Sequence, residues 1–535
     1  MLLCLTRTVP VRADGLPLTT PPTEAQGYPV VSPDDKGGAF VSYRTATLRI
    51  GSVHVGSTGI ADGRGAFGPN TLSMDFEGTE PLRVLAVRDS GVMFLADRAS
   101  IGRPIAMRYR ANGLVTPGFP AFLPAMPFRH PVAVPGRAGR TVLFAMDSDT
   151  TSYWTLRTAI LLSDGSVDSL SELRSNFQFF AVDRPAACRD SSGGMIAAMS
   201  YYDAIGTGSK DIGIFRIAAN GSHPWGEALR PMVIATRDQT NVKLAPDGLG
   251  GALMVWEDPR SNVVGRSSDI FALHFDKNAV RIPGWNFYGS AICDAQGAQT
   301  EPSIAPDGTG GAWIVWWDRR NSLDGDLRFT HVLGNGSFAP GFALGGTVLC
   351  DAVGVQREAS VVGDGGGGCF IVWRDERSGD ADIYAQHITA SGTIAAGWTA
   401  NGRAVAIAPG TQDQPTLAPV LTGRVIVAWR DARTAPARIY TTALVDASVV
   451  DAPPASLTSL RLATIGPHAL RVSLGSGEAT LELLDVAGRI QQRHTLVGPA
   501  AGLELPLASE LRPGLYFARL RQGAAQVSTR VTVLR

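Results

Sequence analysis

Four copies of one cluster bring an aromatic face, a carboxylate and a guanidinium within five residues of each other. They are Trp256, Asp258 and Arg260; Trp316, Asp318 and Arg320; Trp373, Asp375 and Arg377; and Trp429, Asp431 and Arg433. Such a set can stack a planar ligand, accept a proton and hold an anion. It can equally fasten structure, with the Asp accepting bonds from turn amides or from Arg while the Trp fills an interface. Recurrence favours fastening, because a catalytic site is needed only once. The Trp positions advance by 60, 57 and 56 residues, a period that marks blades of a β-propeller.

Other candidates are weaker. His274, His331 and His387 occupy one equivalent position in successive repeats. Neighbouring units lie roughly 10 Å apart, so one ion with bonds of about 2 Å cannot join them. Asp375, Asp380 and Asp382, or Asp147 and Asp149, are carboxylates of the type that binds calcium, but their spacing does not match a calcium loop. No Gly-x-Ser-x-Gly, His-Glu-x-x-His or phosphate-cradling Gly-x-x-x-x-Gly-Lys occurs. The expected cofactor set is therefore none, with calcium as the single alternative.

The elements that hold these residues follow from the pattern around them. Each repeat reads as a short strand, a Gly-rich turn, a stronger apolar strand, a polar elbow and a third strand. Turns such as Pro246-Asp-Gly-Leu-Gly-Gly and Pro306-Asp-Gly-Thr-Gly-Gly combine a preset φ, a self-capping Asp and glycines that take positive φ. Eight first strands can be counted, at 28–31, 83–87, 131–134, 185–188, 242–245, 302–305, 359–362 and 415–418. Second strands such as Ala312-Trp-Ile-Val-Trp-Trp317 are apolar almost throughout, which requires burial on both faces. The eighth repeat lacks a fourth strand, and an orphan segment, Gly15-Leu-Pro-Leu-Thr-Thr20, precedes the first. Pairing the two closes the ring and hides two open edges. The expected fold is thus an all-β propeller of eight blades, with seven as the competing count. The first four repeats lack the Trp, and a unique site has room there.

Composition sets the bounds. With 535 residues, the chain predicts more than one folding unit. A formal net charge of zero gives no global field for nucleic acid or acidic lipid. Of the 48 basic residues 44 are Arg, lysine being confined to Lys36, Lys210, Lys243 and Lys277. Five cysteines are too few and odd in number for a disulfide framework. No apolar run reaches the roughly 18 residues of a membrane span. The N-terminal Met-Leu-Leu-Cys-Leu-Thr-Arg has no charged lead or full apolar core, so it reads as a tail or a truncated leader. The expected organisation is a tail at 1–14, a propeller at 15–449, a Pro-containing linker at 450–455 and a small Ig-like β-sandwich at 456–535.

Val-Trp-x-Asp-x-Arg-Ser-Gly-x-x-Asp-Ile-Tyr-Ala-Gln, intact at 372–386, resembles the propeller repeats of large exported bacterial surface proteins. The C-terminal segment resembles the sorting domain of type IX secretion substrates and the related hook-capping Ig-like fold. Asp485, Gly488 and Arg489, with Gly514 and Tyr516, carry that likeness. The resemblance implies a monomer at the cell surface or outside the cell, delivered by an outer-membrane secretion machine. A glycan or protein is the implied propeller ligand. Propellers also host sialidases and other glycosidases, which need two carboxylates across a scissile bond. The sialidase turn Ser-x-Asp-x-Gly-x-Thr-Trp is only approached, by Ala305-Pro-Asp307-Gly-Thr-Gly310. The expectation is a non-catalytic binding or scaffold protein. Its alternative is a secreted glycan-active hydrolase with its site at the axial mouth.

Overall fold

The computed structural model describes residues 15–18, 25–34, 37–46, 50–59, 61, 83–87, 91–98, 103–109, 121–122, 129–137, 139–148, 154–174, 179–182, 185–203, 208–260, 268–446, 461–465, 469–486, 488–506, 511, 513–522 and 525–533. The expected tail at 1–14, the linker at 450–455, Asp149 and the Asp147 side chain lie outside them. No α-helix occurs among the described residues, and none is long and apolar enough to cross a membrane. The chain divides into two compact units, Met1–Ala447 and Ser448–Arg535.

The first unit is a β-propeller. Among its described residues are eight separate antiparallel sheets. Their first strands are Gln26–Pro33, Arg83–Val87, Arg129–Pro135, Ala186–Arg189, Thr240–Pro246, Gln299–Pro306, Gln356–Gly363 and Gln412–Leu421. Each of these strands lies against the next, and the last lies against the first, so together they line a closed axis. The apolar second strands pack between neighbouring sheets. One buried cluster runs from Cys188 and Ile212 through Trp256 to Trp316, crossing three sheets without a break.

Ring closure uses the N-terminal segment. Leu16 pairs with Thr441 and Pro17 with Tyr440, making Leu16–Pro17 the outer strand of the last sheet. Gly15 shows why the register is that one. A Cβ on Gly15 would fall 2.2 Å from Trp429, as one on Gly346 would from Trp316 and one on Gly402 from Trp373. The chain's first described residue therefore fills the position that a glycine holds in sheets made from continuous chain.

The second unit is a five-stranded antiparallel sheet. Two long strands, Ala469–Asp485 and Ile490–Pro506, run where the sequence pattern suggests several short ones. Register shifts at Val472/Leu474 and Leu474/Gly477 let the chain pass Gly475-Ser-Gly477 without ending the strand. Leu470, Leu481, Leu483, Tyr516, Ala518 and Leu520 are among the residues of its buried core. Asp485 caps the turn at Gly488, its Oδ1 accepting the Arg489 amide at 3.0 Å. Tyr516 is buried and Gly514 opens the adjoining strand.

Candidate functional site

The four Trp-Asp-Arg clusters do not converge; each closes on itself within its own sheet. Trp256 Nε1 donates to Asp258 at 2.8 Å, Trp316 to Asp318 at 2.9 Å, Trp373 to Asp375 at 2.8 Å and Trp429 to Asp431 at 3.1 Å. The same carboxylates accept the backbone amide and the guanidinium two residues on, as Arg377 shows with Nε at 2.9 Å and Nη2 at 2.6 Å. Arg260, Arg320 and Arg433 repeat that fork. Arg320 and Arg377 also reach Cys293 and Cys350 of the preceding sheet, at 2.8 and 3.1 Å. Every oxygen of these buried carboxylates is occupied, so none is left to take a proton from a substrate.

The histidines behave likewise. His274, His331 and His387 each bond the turn Asp of their own sheet, Asp247, Asp307 and Asp364, at 3.2, 2.9 and 3.0 Å. Burial on its own would raise the Asp307 carboxyl; bonds from His331, Thr309 and Gly311 outweigh it and bring the group down to about 2. The calcium candidates do not gather either. Asp375 is saturated as above, Asp380 accepts the Gly410 amide at 3.3 Å, and Asp382 accepts the Ser378 hydroxyl. Among the described residues one group, Asp364, His387 and Asp446, brings three ligand-type atoms within 4.8 Å. There Asp364 Oδ1 already holds the Gly366 and Gly368 amides, the same turn-holding role as in Asp247 and Asp307.

A different set of side chains faces the axis. Four first strands begin with a buried Gln, and a fifth, Thr240–Pro246, directly follows one, Gln239; two residues after each Gln stands a non-glycine in the left-handed region: Tyr28, Asn241, Glu301, Glu358 and Gln414, with φ between 53° and 58°. Each sits at a register shift in its strand, a bulge that re-aims the side chain. L-residues rarely hold this conformation, and at four of the five positions a side chain of the neighbouring sheet accepts the residue's amide. Glu301 N donates to Glu257 at 2.8 Å, Glu358 N to Glu301 at 3.4 Å, Gln414 N to Glu358 at 3.2 Å and Tyr28 N to Gln414 at 2.7 Å. The chain of bonds passes from sheet to sheet and crosses the closure.

The second strands supply the rest of this mouth. In Ala252–Asp258, Ala312–Asp318 and Cys369–Asp375 a single residue is not fully buried, namely the one between Trp and Asp: Glu257, Trp317 and Arg374. Arg430 holds that place in Arg424–Asp431 and Arg44 its counterpart in Ala39–Thr45. Arg430 grips Asp413 with both arms of its fork, Nε at 2.7 Å. Arg357 pairs with Glu301 and lies 4.3 Å over the Trp317 ring. Arg44 lies 4.4 Å over Tyr28. Glu358 keeps a face to solvent but has protein around it. That desolvation raises its carboxyl above the usual glutamate range, Asp413 and Glu301 add to the rise, and Arg374 opposes it.

Beside Glu358, a cavity of about 350 Å³ opens between the last and first sheets, lined by Tyr28, Arg44, Gln414 and Arg430 among others. A second cavity, of about 540 Å³, lies at the opposite strand ends, with Pro306, Val362, Pro419 and Leu421 in a mostly apolar wall. Sequence reading missed the mouth residues. The available signal is the recurrent Gln-x-x before Pro302, Ala359 and Pro415, where two-residue alternation starts the strand one bulge too late.

No protein-family model matches the sequence, and no curated protein matches it. Solved structures do. The propeller resembles an ulvan lyase of polysaccharide lyase family PL25 (10% identity, 69% of this chain and 95% of that one, TM-score 0.42). It also resembles a Hadza microbial sialidase (12%, 66% and 75%, TM-score 0.35). The NanB sialidase of Streptococcus pneumoniae is a third (8%, 79% and 92%, TM-score 0.32). At these identities the likeness is one of fold. The expectation of a non-catalytic scaffold finds no counterpart among these three. The three named structures are glycan-active enzymes. Equivalent positions of the mouth carry different residues, Tyr28, Asn241, Glu301, Glu358 and Gln414.

Proposed function

We propose that this chain is an exported glycan-active hydrolase whose active site is the axial mouth around Glu358. One observation carries the reading: a carboxyl held above its ordinary range by its surroundings stands next to a second carboxylate, Asp413, that a guanidinium fork fixes in place. A carboxyl of raised pKa is still protonated where other carboxylates are charged, which suits a general acid. In this reading Glu358 protonates the oxygen of the departing sugar. Asp413 faces the anomeric carbon, either directly or through a water molecule. Trp317 and Tyr28 offer flat faces on which sugar rings stack.

Incubating the full chain with a panel of polysaccharides and following new reducing ends tests this. Turnover of at least one member is expected, with E358Q reducing it by roughly 10²- to 10⁴-fold while thermal unfolding stays as in the parent. A panel left uncleaved, or an E358Q variant as active as the parent, would sink the proposal. Residues 448–535 serve in this reading as the export or anchoring unit, addressed to an outer-membrane secretion machine through the surface around Asp485, Gly488, Arg489, Gly514 and Tyr516. What supports it is that these residues form a compact unit of their own. Removing them should trap the protein in the periplasm; normal export without them would refute that role.

A further inference from the structure

We infer that Glu376 is a positioning residue for the mouth: it engages the Arg374 guanidinium and so leaves the Glu358 carboxyl without a guanidinium partner. The role rests on the hydrolase reading above and identifies what keeps its acid apart from the cations around it.

Two neighbouring sheets differ at one cross-strand pair. In the last sheet Arg430 stands directly opposite Asp413, and the two form an ion pair. In the sheet before it, Arg374 stands directly opposite Arg357. Like charges in that register repel, so each guanidinium takes its acid from elsewhere. Arg357 takes Glu301 of the preceding sheet, and Arg374 takes Glu376, two residues on. Glu301, Glu376 and Asp413 thus each hold a guanidinium. Among the described residues Glu358 holds none, and its Oε2 accepts the Gln414 amide at 3.2 Å.

The Trp-Asp-Arg fastener does not require an acid at position 376. Its counterparts in the other three repeats of that kind are Pro259, Arg319 and Ala432, so among the four an acid occurs only in the repeat that carries Glu358. Its backbone is pinned, the amide donating to Val355 O at 2.9 Å and the carbonyl accepting the Gly379 amide at 3.1 Å. The Arg374 and Glu376 side chains stay 24% and 28% exposed, too open for their pair to add much stability. Its effect falls on Glu358 instead. Desolvation raises that carboxyl; among the neighbouring charges Arg374 acts most strongly and lowers it, while Asp413 and Glu301 raise it. Arg357 and Arg430, the other cations whose charge meets Glu358, are committed to Glu301 and Asp413. With Glu376 neutralised, Arg374 turns to Glu358, the carboxyl on the adjoining strand that holds no guanidinium.

Carbon-13 NMR of the full chain labelled at its glutamate carboxyls tests this, with the Glu358 signal assigned by its loss in E358Q. In E376Q the Glu358 titration midpoint should fall by about one pH unit, and in R374A it should rise. The double variant should match R374A, because Glu376 acts through Arg374. E376D keeps a carboxylate and should bring the midpoint back towards that of the parent; E376A is read in the same way as E376Q where the latter does not fold. An unmoved midpoint in E376Q, or a double variant lying below R374A, would overturn the role. The two proposals fail separately, because the midpoint is read without substrate. A midpoint that moves as stated in a chain without turnover keeps the effect of the ion pair and removes the hydrolase. Turnover with a midpoint indifferent to E376Q keeps the hydrolase and removes this role.

Discussion

Trp373, Arg374 and Asp375 are consecutive, yet they belong to two regions with opposite requirements. Trp373 and Asp375 point into the junction between sheets, are fully buried, and have close counterparts in three other repeats. Arg374 points to the axis, is half-buried, and has Glu257, Trp317 and Arg430 as counterparts. Strand alternation alone separates the two. The junction must be the same in every repeat because each sheet meets its neighbour in the same way. The mouth need not be, because a ligand on the axis meets every sheet differently. Constancy therefore marks what holds the ring, and variation at a constant backbone position marks where it acts.

The sharpest way to break that division is through pH. Glu358 sits above the usual glutamate range, with Arg374 the nearby cation that opposes the rise. As a general acid it works only when protonated, so turnover is complete below its pKa and is lost as pH rises through it. E358Q should reduce the rate by roughly 10²- to 10⁴-fold and erase that alkaline limb. R374A should move the limb to higher pH, since a cation that favours the charged form is gone. R377A, three residues away in a fastener, should leave the limb where it is. A limb that moves equally in R374A and R377A would erase the distinction between mouth and junction.

Stability should divide the other way. W373A removes a fully buried ring packed against Gly402, and about 3–5 kcal/mol of unfolding free energy should go with it. R374A should cost less than about 1 kcal/mol, because its partner Glu376 is solvent-accessible. Chemical denaturation monitored by tryptophan fluorescence measures both. Equal losses would mean that the axial residues also hold the ring.

How much of this was legible in the sequence depends on which kind of position is asked about. The eight first strands, the Trp-Asp-Arg sets and the pairing of Gly15-Leu16-Pro17 into the last sheet follow from periodicity and turn chemistry, because packing repeats faithfully. The mouth does not follow. Glu358 is set on the axis by a left-handed residue and a register shift. A two-residue alternation does not register a bulge, so the pattern starts strands at Pro302 and Pro415, just past Glu301 and Gln414. Loss of the Trp points to the degenerate early repeats for a unique site, whereas the described cluster comes from the well-formed ones and from Tyr28 and Arg44. In the second unit Gly475-Ser-Gly477 reads as a turn. The strand instead runs through it, because shifts of register absorb the extra residues.

Ring closure gives a smaller effect and a direct comparison. Gly402, in continuous chain, and Gly15, in the N-terminal strand, both have positive φ (81° and 59°), and a Cβ on either would fall 2.2 Å from a buried Trp ring. G402A and G15A should each cost about 1–3 kcal/mol through overpacking and backbone strain. Near-equal losses in denaturant unfolding would mean that the closing strand is held as firmly as the others. A neutral G15A beside a costly G402A would mean that the ring stays closed without it.

An effect of similar size, confined to low pH in its variation, lies in the turns at the far ends of the first strands. Asp307 Oδ1 accepts the Thr309 and Gly311 amides at 2.7 and 2.9 Å, and Oδ2 accepts His331 at 2.9 Å. Its carboxyl lies at about 2, below the ordinary 3.8. A depressed carboxyl contributes stability that is complete above its unfolded pKa and is lost as pH falls through its folded one. The window is therefore between about 4 and 2. D307N should lower unfolding free energy by about 1–3 kcal/mol at neutral pH, and the gap from the parent should narrow as pH drops from 4 to 2. Asp247 and Asp364, lowered in the same way, titrate in both proteins and cancel in the difference. A gap of constant size across that range would mean that Asp307 acts by shape and not by charge. Turnover at neutral pH should not change, since the turn lies beyond the opposite end of its strand, Gln299–Pro306, from the mouth residue Glu301.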